Sequence, residues 1–171
     1  TVSIRASNCE INGFSIRGGT SGVALRNADN CTVSDNEVVD NTYGIVLIHA
    51  SGNVLRRNII TGNSYNFHVV GRWLSDFVND VDSSNTVDGK PICYWVNKHN
   101  EECPPDAGYV VAVNSTDILV RNLRLAGNGQ GVLFAFVYNS TIENVEISGN
   151  YDGVWISDSK NITLTGNDAS N

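Results

Sequence analysis

Residues 30–51 read NCTVSDNEVVDNTYGIVLIHAS and residues 52–73 read GNVLRRNIITGNSYNFHVVGRW. Set one under the other, Val33 falls on Leu55, Asn36 on Asn58, Val38 on Ile60, Asn41 on Asn63, Tyr43 on Tyr65 and Leu47 on Val69, each pair 22 residues apart. The spacing holds upstream, where Ile11, Ile16, Gly22, Val23 and Leu25 precede Val33, Val38, Gly44, Ile45 and Leu47 by 22. It holds downstream too, where Val120, Leu125, Asn128, Gly131, Val132 and Phe134 recur as Ile142, Ile147, Asn150, Gly153, Val154 and Ile156. In the middle, Leu55 to Val87 spans 32 residues and Val87 to Val120 spans 33. One coil enlarged by two insertions, near 71–84 and 93–108, accommodates both distances.

Within each repeat the apolar residues come as short alternating pairs such as Ile45/Leu47, rich in Val and Ile, which is strand periodicity in runs too short for helices. Asn and Gly punctuate them, as turns with left-handed backbone angles require. A strand of a few residues cannot bury its face alone. Stacking equivalent coils ~4.8 Å apart pairs each strand with its copies and closes a shared interior. A leucine-rich repeat has a similar period but needs a leucine-dominated consensus with a helical side. The spacing therefore predicts an all-β, parallel β-helix (solenoid) of about seven coils. Its parts would be N-terminal coils at 1–70, an insertion-bearing coil at 71–108 and C-terminal coils at 109–171. Leu47, Val69 and Val132 are expected to face one common interior.

The 171 residues suffice for one domain with a substantial core, and 41% of them are hydrophobic. No run approaches the ~20 apolar residues of a membrane span. A net charge of −7 without a Lys/Arg cluster disfavours nucleic acid.

The chain resembles a known family. The stretches DVDSSNTVDGKPICYWVN (80–97) and DAGYVVAVNSTDILVRNL (106–123), within the coil pattern, are similar to the right-handed parallel β-helix repeats of NosD-like proteins and of carbohydrate-binding and sugar-hydrolase (CASH) domains, in particular those of archaeal surface proteins. The resemblance implies the β-helix along nearly the whole chain. For function it implies several incompatible roles, because such repeats host hydrolases, adhesins and spacers alike. It also implies copper handling, for which this chain offers no Met and only His49, His68 and His99, well separated.

Alternation places Ala24, Val46, His68, Val111, Leu133 and Trp155 on one outward face. A face this apolar needs a cover, since monomers rarely leave large apolar patches bare. Either the insertions fold over it, through residues such as Trp73, Leu74, Phe77, Tyr94, Trp95 and Val96, or another subunit packs there. The face lacks the acids and bases of a sugar-cleaving enzyme, so no catalytic residues and no cofactor are expected. Asp80, Asp82, Ser84 and Asp88 follow the opening of a calcium-loop pattern. Asn85 stands where its turn glycine belongs, however, and Pro91 where its bidentate Glu belongs, so a solvated acidic turn is the reading. Asp76, Glu101, Glu102 and Asp106 read as surface charges.

Cys93 and Cys103 bracket a polar loop that a disulfide would staple. Cys9 and Cys31 lie 22 apart and so stack in adjacent coils, where either a bridge or two buried thiols fits. Four cysteines without a CxxC motif point to an oxidising exterior rather than zinc. Asn30, Asn114, Asn139 and Asn161 begin N-x-S/T triplets and are glycosylation candidates. Neither end shows a capping element. Val2 and Ile4 take the phase of Val23 and Leu25, while Ile162 and Leu164 continue the last coil and Asn171 stops one position short of the phase of Asn41 and Asn63. The chain is then either part of a longer solenoid or a unit that stacks head to tail with its own copies. An extracellular structural or cell-surface module follows, self-associating or joined to other domains. The alternative is a carbohydrate-binding or carbohydrate-active domain with its site between the two insertions, near Trp95 and Asp82.

Overall fold

A computed structural model describes residues 1–170; Asn171 lies outside the described residues. The protein is a β-solenoid in which short parallel strands stack coil upon coil. Three ladders make the first part: Val2–Ile4, Ser21–Arg26, Tyr43–Ile48 and Tyr65–Val70; then Glu10–Asn12, Thr32–Ser34, Val54–Arg56 and Asp80–Val81; then Ser15–Arg17, Glu37–Val39, Ile59–Thr61 and Thr86–Val87. The 22-residue repeat sets their register, with Leu55 beside Val33, Ile60 beside Val38 and Val69 beside Leu47. Aliphatics point inward, and asparagines hold the corners. Asn36, Asn58 and Asn85 form one buried column, in which the carboxamide oxygens of Asn58 and Asn85 each accept both the backbone and side-chain N–H of the asparagine one coil earlier. Corner residues outside the core take left-handed angles, among them Asp35 (φ 57°) and Asp40 (φ 54°). Gly44 permits close approach, since a Cβ there would lie 2.3 Å from the Asn66 carbonyl.

The middle of the chain departs from expectation. The strand under Leu55 holds Val81, and the strand under Ile60 holds Val87. The first insertion is therefore only a few residues, a bulge at 71–79 around one helical turn (Leu74–Phe77). The chain then reverses through Asp88 and Gly89, both at positive φ (47° and 78°), and Lys90–Val96 returns antiparallel to Thr86–Val87. This is a two-residue hairpin with the Asp-Gly sequence that such a turn favours. It is the one antiparallel pairing among the described strands. Residues 93–108 are not an insertion. They form a short coil, whose strands Lys90–Val96 and His99–Glu102 open a second stack beside Tyr109–Val113 and Thr116–Arg121. That stack continues through Gln130–Ala135 and Asp152–Ser157, through Tyr138–Glu143 and Lys160–Thr165, and through Arg124–Ala126, Glu146–Ser148 and Asp168–Ser170.

The single shared interior is thereby corrected to two cores. Leu47 and Val69 belong to the first, whereas Val132 belongs to the second with Cys93, Val110, Ala112 and Phe134. The alternate residues of the same sheet, Tyr94, Val111, Val113, Leu133 and Ala135, belong to the first core with Phe67, Phe77, Val81 and Val87. One sheet thus serves both stacks. Its inner face fills the second solenoid, and its outer face plugs the open end of the first. The exposed edge of Tyr65–Val70 is satisfied by the same element: Asn66 N–H donates to the Gly127 carbonyl (2.6 Å) and Gly129 N–H to the Phe67 carbonyl (2.8 Å). The Gln130 carboxamide pairs with both the N–H and the carbonyl of Val69, standing in for a neighbouring strand. Such sealing removes both costs of an open solenoid end, bare aliphatics and an unpaired strand edge.

Candidate functional site

The apolar outward row splits between the stacks, and Phe77 of the 71–79 bulge and Tyr94 pack in one core with its members Val111 and Leu133. Val111 and Leu133 are buried as part of the plug, while Trp155 is only partly covered. Val46 and His68 stay on the outer face of the first stack. Of the covering residues proposed, Phe77 and Tyr94 enter the shared core, whereas Trp73 is 64% exposed.

Where the stacks meet, two adjoining hollows of about 390 and 400 Å³ share Asp80, Val81, Tyr94 and Lys98 and form one groove. The antiparallel turn creates it, because Lys90–Val96 crosses beside Asp80–Val81 instead of stacking above it. Trp95 and Asp82, placed near each other from the sequence, both line it, as do Pro91, Cys93 and Pro104. Arg56 sits at its edge, paired with Asp80 and, at 3.2 Å, with Asp82. The groove therefore offers an indole, Lys98 and two carboxylates held in place by a guanidinium. These groups suit binding by stacking and hydrogen bonds, with no free acid–base pair.

The four residues of the calcium-like pattern do not converge. Asp80 and Asp82 turn to Arg56, the Ser84 hydroxyl donates to Asp82, and Asp88 accepts from Thr61, Gly62 and Asn66 on the far side of the strand. No three acidic, His or Cys side chains converge to hold an ion among the described residues. Asp76 is no free surface charge either. Burial alone would raise its pKa, but hydrogen bonds from His49 and from the N–H groups of Arg72 and Trp73 bring it below the ordinary value. Glu102 pairs bidentately with Arg121.

The glycosylation candidates Asn30, Asn114, Asn139 and Asn161 all have left-handed backbone angles, with φ between 45° and 57°. That backbone demand alone accounts for asparagine there. Asn161 also donates to Asn139, and Asn114 to Asn97, one coil to the next. All four cysteines are free thiols in this structure. Val2 and Ile4 stack on Val23 and Leu25 as expected, and Leu164, 48% exposed, stacks on Ile142, with Ile162 on Ser140.

Sequence reasoning missed an aromatic cluster beneath the plug. Tyr151 of the second stack reaches Tyr65 and His68 of the first, each with ring centroids 5.7 Å away, and Tyr43 stacks on His68 at the same distance. Gly129 makes room, since a Cβ there would lie 2.3 Å from the imidazole. His68 is 7% exposed and its Nε2 has no partner among the described residues. Burial pushes its pKa below the usual value, opposed by the nearby Asp152 carboxylate. It is thus neutral in the fold and takes up a proton more readily once unfolded. Its contribution is intact above the unfolded pKa of ~6.5 and is lost as pH falls through that value toward the depressed folded one. Thermal melts from pH 7 to 5 should show a drop in Tm that His68→Phe reduces; an unchanged pH profile in the variant would contradict this role.

The chain is matched by two family profiles. One, described as periplasmic copper-binding protein (NosD), covers residues 2–100, and the other, right handed beta helix region, covers 108–171. The chain belongs to the NosD family. No curated protein matches it. The NosD profile runs through the Asp88–Gly89 reversal and into the first strand pair of the second stack. The copper in the family's description finds no matching donor set here. His49 is engaged by Asp76, His68 is enclosed by tyrosines, His99 is exposed on a short edge strand, and the chain contains no Met. Copper sites gather imidazole, thiolate and thioether donors; in this NosD-family chain the imidazoles are dispersed, Met is absent, and among the described residues no three His, Cys or acidic side chains converge. Among the described residues, no helix is long and apolar enough to cross a membrane.

Proposed function

We propose that the chain is a structural module of an exported protein, working in the periplasm or at the cell surface, that extends by parallel strand addition at its outer coils. The carrying observation is the contrast between its strand edges. The junction edge of Tyr65–Val70 is covered by 127–130 and Gln130, whereas Val2–Ile4 and the strands Asp152–Ser157 and Lys160–Thr165 are the last strands of their sheets among the described residues. Leu164 and Ile156, 48% and 38% exposed, flank the second of these edges. Head-to-tail addition of a further copy satisfies both ends, and because such contacts do not close it yields filaments or layers.

A second reading, a glycan-binding module, is favoured by Trp95 and Asp82 lining one groove. One preparation tests both readings. Light scattering across concentration should show mass growing beyond the monomer and reverting in Leu164→Lys, which puts a charge on the edge; a constant monomer mass overturns assembly. The same protein on a glycan array should bind and lose binding in Trp95→Ala if the groove takes sugar; silence removes that reading.

A further inference from the structure

We infer that Cys93 and Cys103 are joined as a disulfide in the exported protein, and that this bond fixes one wall of the junction groove. The inference rests on export and not on assembly or glycan binding. Cys93 projects from Lys90–Val96 into the second core, and Cys103, just past His99–Glu102, enters the same core while its N–H donates to the Leu119 carbonyl (2.8 Å). Both side chains are buried in this one core.

Their coil is the short one. Cys93 lies beside Val110, 17 residues on, where its neighbours repeat every 22, and the coil has no third strand. The missing side is crossed by Pro104–Gly108, tied by Ala107 N–H to the Pro104 carbonyl (3.2 Å) and Gly108 N–H to the Pro91 carbonyl (2.8 Å). Residues of both segments, Cys93 and Trp95 on one and Pro104 and Ala107 on the other, line the groove. A covalent link between them substitutes for the absent strand and holds Trp95 against the Pro104 rim.

The chemistry balances as exchange. The two thiols give up two protons and two electrons to the disulfide of a thiol oxidoreductase, which leaves as a dithiol. The neighbouring Cys103 thiol, together with burial, pushes the Cys93 thiol far above the usual range, so Cys93 is no reactive thiolate once the coil has closed. Bond formation therefore precedes closure of the coil, and the finished bond is shielded from reductant. The other pair has different work. Cys9 N–H donates to the Cys31 sulfur (3.4 Å), and the Cys31 thiol donates to the carbonyls of Ala6 and Asp29, so these sulfurs serve the first coils as thiols.

The full chain, refolded in a glutathione redox buffer, is denatured, alkylated without reductant and digested with trypsin, which cuts at Lys98 between the two cysteines. Expected are alkylated Cys9 and Cys31 and a linked pair of peptides carrying Cys93 and Cys103, the link resisting reductant until denaturant is added. Four alkylated cysteines, or a Cys9–Cys31 link instead, overturn the inference. As a second measurement, Cys93→Val/Cys103→Ala should melt with the reduced wild type and below the oxidised one; identical Tm values for oxidised and reduced wild type refute a role in fixing the coil. A link that forms in vitro but is absent from protein recovered from cells would sink export and leave the pairing intact.

Discussion

Asn58→Ala is expected to destabilise the protein by about 3–5 kcal/mol, although it removes only one side-chain amide. The carboxamide oxygen of Asn58 accepts the backbone N–H and the side-chain Nδ2–H of Asn36, and its own Nδ2–H donates to the Val33 carbonyl (2.8 Å) and to Asn85. All of these atoms lie out of reach of water, with Asn58 itself fully buried. Truncation leaves a main-chain donor and a main-chain acceptor orphaned in the corner of the coil. Each costs about 1–3 kcal/mol, because no solvent replaces the lost partner. Asn12→Ala is the control. Asn12 also bonds to the next coil, through Ser34, but from an exposed position, and its loss should stay within about 0.5 kcal/mol. Urea denaturation followed by circular dichroism measures both. Near-equal midpoints for the two variants would mean that the buried asparagine column is not what holds successive coils in register.

The column was legible in the sequence, because a periodic fold writes the same chemistry at the same interval. Val33/Leu55, Val38/Ile60 and Asn36/Asn58 needed no structure to be paired, and the structure stacks each of them. Interval counting failed where the chain stopped stacking. Val87 was set in the phase of Leu55, yet it continues the ladder of Ile60, because the 71–79 bulge is shorter than two full insertions would require. The decisive signal was local and present: Asp88-Gly89 between Val87 and Lys90 is a hairpin dipeptide. A period search passes over it because a reversal has no period. The groove followed from this reversal, so Trp95 and Asp82 were placed near each other while the reason for their meeting stayed out of view. The contacts of His68 with Tyr43 and Tyr151 were illegible for another reason. They join residues of separate stacks, and nothing in either repeat records which side of the plug the other stack overhangs.

The reversal also changes what an outward-facing residue is, and Leu133 tests this most severely. In a single straight column with that face left bare, Leu133 and Ser148 would both point to solvent from their ladders, and a charge at either position would be tolerated. In the observed fold Ser148 is exposed, whereas Leu133 is fully buried in the core of the first stack although its own strand belongs to the second. Leu133→Ala should therefore cost about 2–5 kcal/mol, as for any well-packed leucine. Leu133→Asp should cost more, about 4 kcal/mol at the least, because a carboxylate placed against Phe67 and Phe77 has no partner there and must either stay desolvated or pry the plug away. Ser148→Asp should fall within about 0.5 kcal/mol of wild type. The damage should also appear at a distance. Displacing the plug uncovers the edge of Tyr65–Val70, so amide hydrogen exchange should quicken at Val69, whose N–H is held by Gln130 (3.4 Å), while Val33, deep in the first stack, keeps more of its protection. A Leu133→Asp protein that melts with the wild type would show that this face meets water, and the two stacks would then be neighbours on one chain rather than parts of one cooperative unit.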